Sequence, residues 1–228
     1  MRDKIPEAGC VEANAESGEY INLREGILRA LPAIIKYRSR ESGAHVRRTI
    51  MFTEILIEEL LKGEYKSELE RIDTKAVTKA VALHDIGKVG IPDCVLLKPG
   101  RLTKDEYELI KTHTLIGGNI IDAVSGDALS GDIYFKRCRE VCLYHHERWD
   151  GTGYPDGLFK TEIPLSARVL SVADVYDALV SDRCYKPACS HGVAVDTIKQ
   201  GSGTQFDPVV VDAFINANSR FYMAQSSH

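Results

Sequence analysis

A histidine and an aspartate stand side by side at the end of an apolar run, with a lysine three residues on: Val81-Ala-Leu-His-Asp-Ile-Gly-Lys-Val-Gly-Ile-Pro92. Neighbouring residues on a helix point about 100° apart, so one side chain can face the core while the next leans toward the axis of a bundle. A neutral imidazole beside a carboxylate offers one nitrogen and up to two oxygens to a divalent cation. Alone, the pair says little, because His84 continues an apolar stripe as a hydrogen-bonded core histidine would. The other polar groups are what constrain the fold. Of seven histidines, five (His45, His84, His113, His145 and His146) fall at helix ends or faces with acidic groups nearby. Asp174 sits on a helix among Leu, Val, Ala and Tyr, where a carboxylate is costly to bury unless it is paired or bound to a cation. Helices of a bundle that present His, Asp and Glu to one interior point resemble a multinuclear metal centre.

The periodicity supplies those helices. Residues 1–19 lack periodicity and read as a tail or linker. Ile21, Leu23, Ile27, Leu28, Leu31, Ile34 and Ile35 recur at helical spacing over residues 20–40, interrupted by Pro32. A helix follows over 44–62. The next begins near Asp73-Thr74 and carries Val77, Ala80, Val81 and His84 along one stripe. Thr103 and Glu106 have capping-box spacing, and that helix is expected to pass His113, break at Gly117-Gly118 and resume to about Val124. Residues 127–132 read as a turn and 133–147 as helix. Trp149-Asp-Gly-Thr-Gly-Tyr-Pro-Asp-Gly157 is too dense in turn formers for regular structure. Further helices are expected over 165–179, 193–200 and 207–216, the last with Asp207 as cap and Pro208 first. No strand run and no repeat is found, so the expected fold is an all-α bundle of one domain.

A net charge of −4 argues against a general binder of duplex nucleic acid, which would need a basic face, yet allows a small anionic substrate held by metals and a few cations. No apolar run reaches membrane-spanning length and Met1-Arg-Asp-Lys leads into no signal core, so the cytoplasm is the expected location. The six cysteines form no CxxC pair and read as reduced and structural. Imidazole with carboxylate and without thiolate suits iron, manganese or zinc better than it suits a structural zinc site. Two metals ~3.5–4 Å apart generate a hydroxide and neutralise a phosphoryl group during in-line displacement.

The motifs His84-Asp85-Ile-Gly-Lys88, Lys111-Thr-His113, His145-His-Glu-Arg-Trp-Asp-Gly-Thr-Gly-Tyr-Pro155, Ala173-Asp-Val-Tyr-Asp-Ala-Leu179 and Asp182-Arg-Cys-Tyr-Lys186 occur in that order. In this the chain resembles the HD-GYP phosphodiesterases of the HD hydrolase superfamily over roughly residues 37–216. The resemblance implies an HD-type helical bundle over 41–220, preceded by a connecting helix at 20–40 and followed by a tail at 221–228. It also implies hydrolysis of cyclic di-GMP to pGpG and onward to GMP. The metal ligands it implies are His45, His84, Asp85, His113, His145, His146 and Asp174, with Glu41 matching an additional ligand of three-metal members. The set would hold two or three divalent ions, Fe or Mn first, with Zn, Ni or Mg as alternatives. Lys88 would lie near the scissile phosphate, Asp85 would bridge the ions, and Tyr154, Arg183 and Lys186 would line the substrate site. The Gly153-Tyr154-Pro155 loop would shape the site and contact diguanylate cyclase domains, and the N-terminal helix would pair two copies as a homodimer. Gln205 stands where the family often has histidine, at a position outside the ligand set. The expected reaction is attack of a metal-bound hydroxide on phosphorus, with the 3′ oxygen leaving. The alternatives are a silent binding module that partners a cyclase, and an enzyme for another cyclic dinucleotide such as cyclic GMP-AMP.

Overall fold

The computed structural model describes residues 26, 30–33, 38, 43–126, 131–182 and 187–225. Within them the fold is all-α, and no strand occurs among the described residues; backbone pairs singly at Asp150 with Phe159 and at Ser202 with Phe206. The helices are α1 (Gly43–Leu60), α2 (Lys66–Leu69), α3 (Thr74–Val81), α4 (Asp93–Leu96), α5 (Lys104–Lys111), α6 (His113–Ser125), α7 (Ile133–Tyr144), α8 (Leu165–Val180), α9 (His191–Gln200) and α10 (Pro208–Gln225). Most of the expected connecting helix, and with it the expected dimer contact, lies outside the described residues, as do Glu41, Arg183 and Lys186.

Caps set several boundaries. Asp73 accepts from the backbone of Lys75 and Ala76, Asp132 from Tyr134 and Phe135, and Thr103 with Glu106 closes a full capping box. Two apolar clusters form behind them. The larger joins α1, α8, α9 and α10 around Phe52, Tyr176, Phe214 and Phe221; the smaller joins the ends of α3, α6 and α7 around Leu83, Ile121, Phe135 and Val141. Cys138 and Cys142 are both buried on one face of α7, and the described cysteines are free thiols.

Four details depart from the periodicity. Helix α3 stops at Val81, so His84 and Asp85 lie in the turn that follows and not on the helix. The chain breaks at Thr112 instead of at Gly117-Gly118, and α6 runs straight through both glycines. Those glycines serve close packing: a Cβ on Gly118 would stand 2.7 Å from Leu143 Cδ2. Helix α7 ends at Tyr144, short of the expected 147, because its last turn passes into the loop that carries His145 and His146. Helix α10 continues to Gln225, well past 216, since Phe221 sits fully buried against Phe52 and Tyr176.

Tightest of all is the contact between the turn at Ile86–Gly90 and α6. A Cβ on Gly87 would lie 1.8 Å from the His113 carbonyl oxygen and 2.5 Å from Gly117 N. Only glycine lets this turn sit on α6, and the approach brings Asp85 against His113.

Candidate metal centre

The centre lies where the two apolar clusters meet. His45 comes from the first turn of α1, His84 and Asp85 from the turn after α3, and His113 opens α6. His145 and His146 follow α7, and Asp174 lies mid-way along α8. His113, His145 and His146 bring three ligand atoms within 4.8 Å of one another, and so do His45, His84 and Asp174. Asp85 stands between these trios. Its Oδ2 is 3.1 Å from His84 Nε2, while its Oδ1 is 3.3 Å from His113 Nε2 and 3.8 Å from His145 Nε2.

Backbone carbonyls decide which ring nitrogen faces this cavity. His84 Nδ1 lies 2.8 Å from Val81 O, His113 Nδ1 2.7 Å from Ile110 O, and His145 Nδ1 2.7 Å from Val141 O. A carbonyl accepts only, so each imidazole carries its proton on Nδ1 and turns the lone pair of Nε2 inward. His45 is held in the same sense by a side chain: its Nδ1 lies 2.7 Å from Asp177 Oδ2, and its Nε2 lies 3.7 Å from Asp174 Oδ1. The result is an excess of acceptors. His113 Nε2 and His145 Nε2 face each other at 3.4 Å, both against a carboxylate oxygen. His84 Nε2 and Asp85 Oδ1 are buried without any hydrogen bond. Lone pairs packed this way repel one another unless a cation or proton lies among them. The donor set of imidazole and carboxylate, without thiolate, therefore fits divalent metal ions.

The electrostatics without metal agree. Burial opposes charge on His84, but the adjoining Asp85 carboxylate holds its pKa up at about 9, so a proton takes the place a metal would fill. Across Asp85 the outcome reverses. Burial and the neighbouring imidazoles push His145 well below the ordinary histidine range, and burial with His113 takes His146 down to about 4. Asp85 is strongly buried, yet Lys88 and the histidines hold its carboxyl well below the usual range. Lys88 Nζ donates to Asp85 Oδ2 at 2.6 Å.

One wall is the glycine-rich loop. Tyr154 stacks on His146 with ring centroids 4.8 Å apart, and the Tyr154-Pro155 bond is cis. A Cβ on Gly153 would lie 2.3 Å from Arg148 N, so the loop can double back on its own start only through glycine. The buried Glu147 gathers the far side: its Oε1 accepts from the backbone N–H of Asp156 (2.8 Å) and Gly157 (3.0 Å), and its Oε2 from Leu158 (3.1 Å). Lys111 Nζ lies over the Tyr154 ring, 5.5 Å from its centroid.

Of the residues singled out in the sequence, seven candidate ligands, Lys88 and Tyr154 thus come together, and Glu41, Arg183 and Lys186 fall outside the described residues. Sequence reasoning missed Asp177, Arg48 and Glu147. Asp177 follows Asp174 by three residues on α8, as Arg48 follows His45 on α1, so each shares a helix face with a candidate ligand; that spacing was the available signal.

Comparison with known proteins comes to the same place. The HD domain family matches residues 30–210. A Vibrio cholerae protein named cyclic di-GMP phosphodiesterase is 43% identical over 208 residues, which cover 91% of this chain and 42% of that protein. The 3′3′-cGAMP-specific phosphodiesterase 2 of the same organism is 33% identical over 210 residues, covering 91% of this chain and 38% of that one. A crystal structure of a cyclic GMP-AMP-specific phosphodiesterase from Vibrio cholerae superposes with a TM-score of 0.59 at 17% identity, over 88% of this chain and 50% of that chain, a likeness of fold. The chain spans under half the length of these two curated relatives.

Proposed function

Because the chain belongs to the HD domain family and carries the HD-GYP motif set, we propose that it is a metal-dependent phosphodiesterase that hydrolyses cyclic di-GMP to pGpG and then to GMP. The observation that carries this reading is the ring of inward lone pairs around Asp85, one oxygen of which faces each trio. Divalent ions held there would lower the pKa of a water molecule and neutralise charge on the phosphoryl group. We assign His45, His84 and Asp174 to one ion, His113, His145 and His146 to a second, Asp85 to both, and Glu41 to a third where one binds. Iron and manganese suit these donors best.

The remaining roles belong to the chain's own groups. Lys88 places a cation beside Asp85, where the non-bridging phosphate oxygens must gather. Burial raises the Tyr154 hydroxyl above the ordinary phenol range, so it stays a hydrogen-bond donor at the edge of the site. Arg183 and Lys186 are assigned to the second phosphate on the motif likeness, a guanidinium being suited to a forked contact. Contact of the Gly153-Tyr154-Pro155 loop with a cyclase domain and pairing through residues 20–40 rest on that likeness alone. A nucleotide messenger as substrate favours a cytoplasmic site of action; among the described residues no helix is long and apolar enough to cross a membrane.

Cyclic di-GMP is preferred to cyclic GMP-AMP because the relative of higher identity carries the former name. The test is to incubate Mn- or Fe-loaded protein with cyclic di-GMP and resolve the products by chromatography. Formation of pGpG is expected. Absence of pGpG and GMP under every metal condition would overturn the proposal.

A further inference from the structure

We infer that Asp177 is a positioning residue that holds His45 in the tautomer with its proton on Nδ1, and that Arg48 fixes the carboxylate in the orientation this requires. The inference rests on the metal reading above and goes beyond it to a residue outside the ligand set.

His45 differs from the other histidines whose nitrogens face Asp85 and its neighbours. His84, His113 and His145 are aimed by the carbonyl of a residue three or four positions earlier, an acceptor that no substitution removes. His45 lies near the start of α1, and the acceptor at its Nδ1 is the side chain of Asp177, 2.7 Å away on α8. Thr49 Oγ1 lies farther off, 3.4 Å from the same nitrogen, and donates its proton to His45 O at 2.9 Å. Asp177 is itself buried and clamped. Arg48 Nε donates to Oδ1 at 2.5 Å and Nη2 to Oδ2 at 3.1 Å, while Nη2 also reaches Ser181 Oγ at 2.7 Å. Carboxylates behind metal-bound imidazoles fix tautomer and ring direction in this manner.

The geometry makes Asp177→Asn more than a loss of charge. Arg48 donates and cannot accept. Its Nη2 retains Ser181 as an acceptor, so the amide oxygen of the variant is drawn to the shorter contact with Nε. The amide nitrogen then faces His45 Nδ1 and donates to it. The imidazole must move its proton to Nε2, where it blocks the lone pair that faces Asp174.

Two measurements on the full chain test this. In metal-free protein at pH 8, nitrogen-15 NMR should find His45 protonated on Nδ1 in the wild type and on Nε2 in Asp177→Asn. Titration with Mn(II) against a chelator should then show about a 10–100-fold loss of affinity at one site, with the other retained. An unchanged tautomer in the variant, or equal weakening of both sites, overturns the inference. If Asp177→Asn does not fold, the wild-type spectrum still decides, since a proton on Nε2 of His45 refutes it. A wild type that binds no divalent ion but shows the Nδ1 proton would instead count against the metal reading.

Discussion

The two donor trios face each other across one carboxylate, yet His113 and His145 on one side and His45 on the other are aimed by different means. His113 and His145 are set by backbone carbonyls, and their helices are seated by glycines that bring the turn at residues 86–90 and α7 onto α6. His45 and Asp174 lie on α1 and α8, and the imidazole there takes its direction from the side-chain pair Asp177 and Arg48. In the first half His113 and His145 can be misaimed only by displacing a helix, whereas in the second a single atom exchange can misaim His45. Their charges differ too: without metal His84 keeps a proton to about pH 9 while His146 refuses one above about pH 4.

The largest effect should come from the residue the halves share. Asp85→Ala removes an oxygen from each trio, so both sites should lose metal and activity should fall by more than the ~100-fold typical of an outer-shell change. Elemental analysis of the purified variant checks it; an unchanged metal content would show that Asp85 does not bridge.

Gly87→Ala should strike the first half through its scaffold. The new methyl would overlap the His113 carbonyl, so α6 must shift and carry His113 with it. Overpacking at this depth is expected to cost about 3 kcal/mol or more. Urea unfolding measures the cost, and Gly131→Ala, where a Cβ meets nothing within 4 Å, should be nearly neutral. Equal stability of the two variants would remove the claim that the first half depends on close approach.

Metal-free protein should display the contrast in its pH profile. The folded-state pKa of His146 is depressed to about 4, so unfolded chains bind more protons than folded ones between there and about 6.5, and stability falls as acid is added through that window. His145 acts in the same direction. The folded-state pKa of His84 is raised to about 9, so its contribution is complete below about 6.5 and is lost as pH rises through 9. His84 and His146 should each contribute about 3 kcal/mol to their limb, with the maximum near neutral pH. Denaturant titrations across pH with chelator present test this, and a flat alkaline limb would show that His84 carries no proton in the empty site.

Much of this centre was legible as residue types, because placing His45, His84 and the half-buried Asp174 among apolar neighbours has few physical solutions, although His84 proves to lie in the turn after its helix. The caps at Asp73, Thr103 and Asp132 were legible as well, since capping depends on short local spacing. The aiming of the imidazoles was not, because a backbone carbonyl leaves no mark in a sequence. Nor was the helix break: Gly117 and Gly118 resemble a stop, but they are small for packing, and Thr112 ends α5 with its hydroxyl on Leu109 O. Asp177 and Arg48 showed in spacing but not in role, which depends on α1 meeting α8.

The third member of the first trio offers the finest test. His146 lies beyond the end of α7 and is stacked on Tyr154, so its direction depends on the loop. That loop is gathered by Glu147, whose Oε1 takes two backbone donors and whose Oε2 takes one. In Glu147→Gln the oxygen can keep the pair from Asp156 and Gly157, while the amide nitrogen is left against the N–H of Leu158. One opposed donor should cost about 1–3 kcal/mol locally and loosen Tyr154 without reaching His113 or His145. Trp149, the one tryptophan in the chain, lies two residues from Glu147 and reports on the loop by fluorescence. The expected signature is altered Trp149 emission and a raised KM, with the metal content of both sites retained. Loss of metal from the first trio alone would show that the loop aims His146 as firmly as the carbonyls aim its two companions.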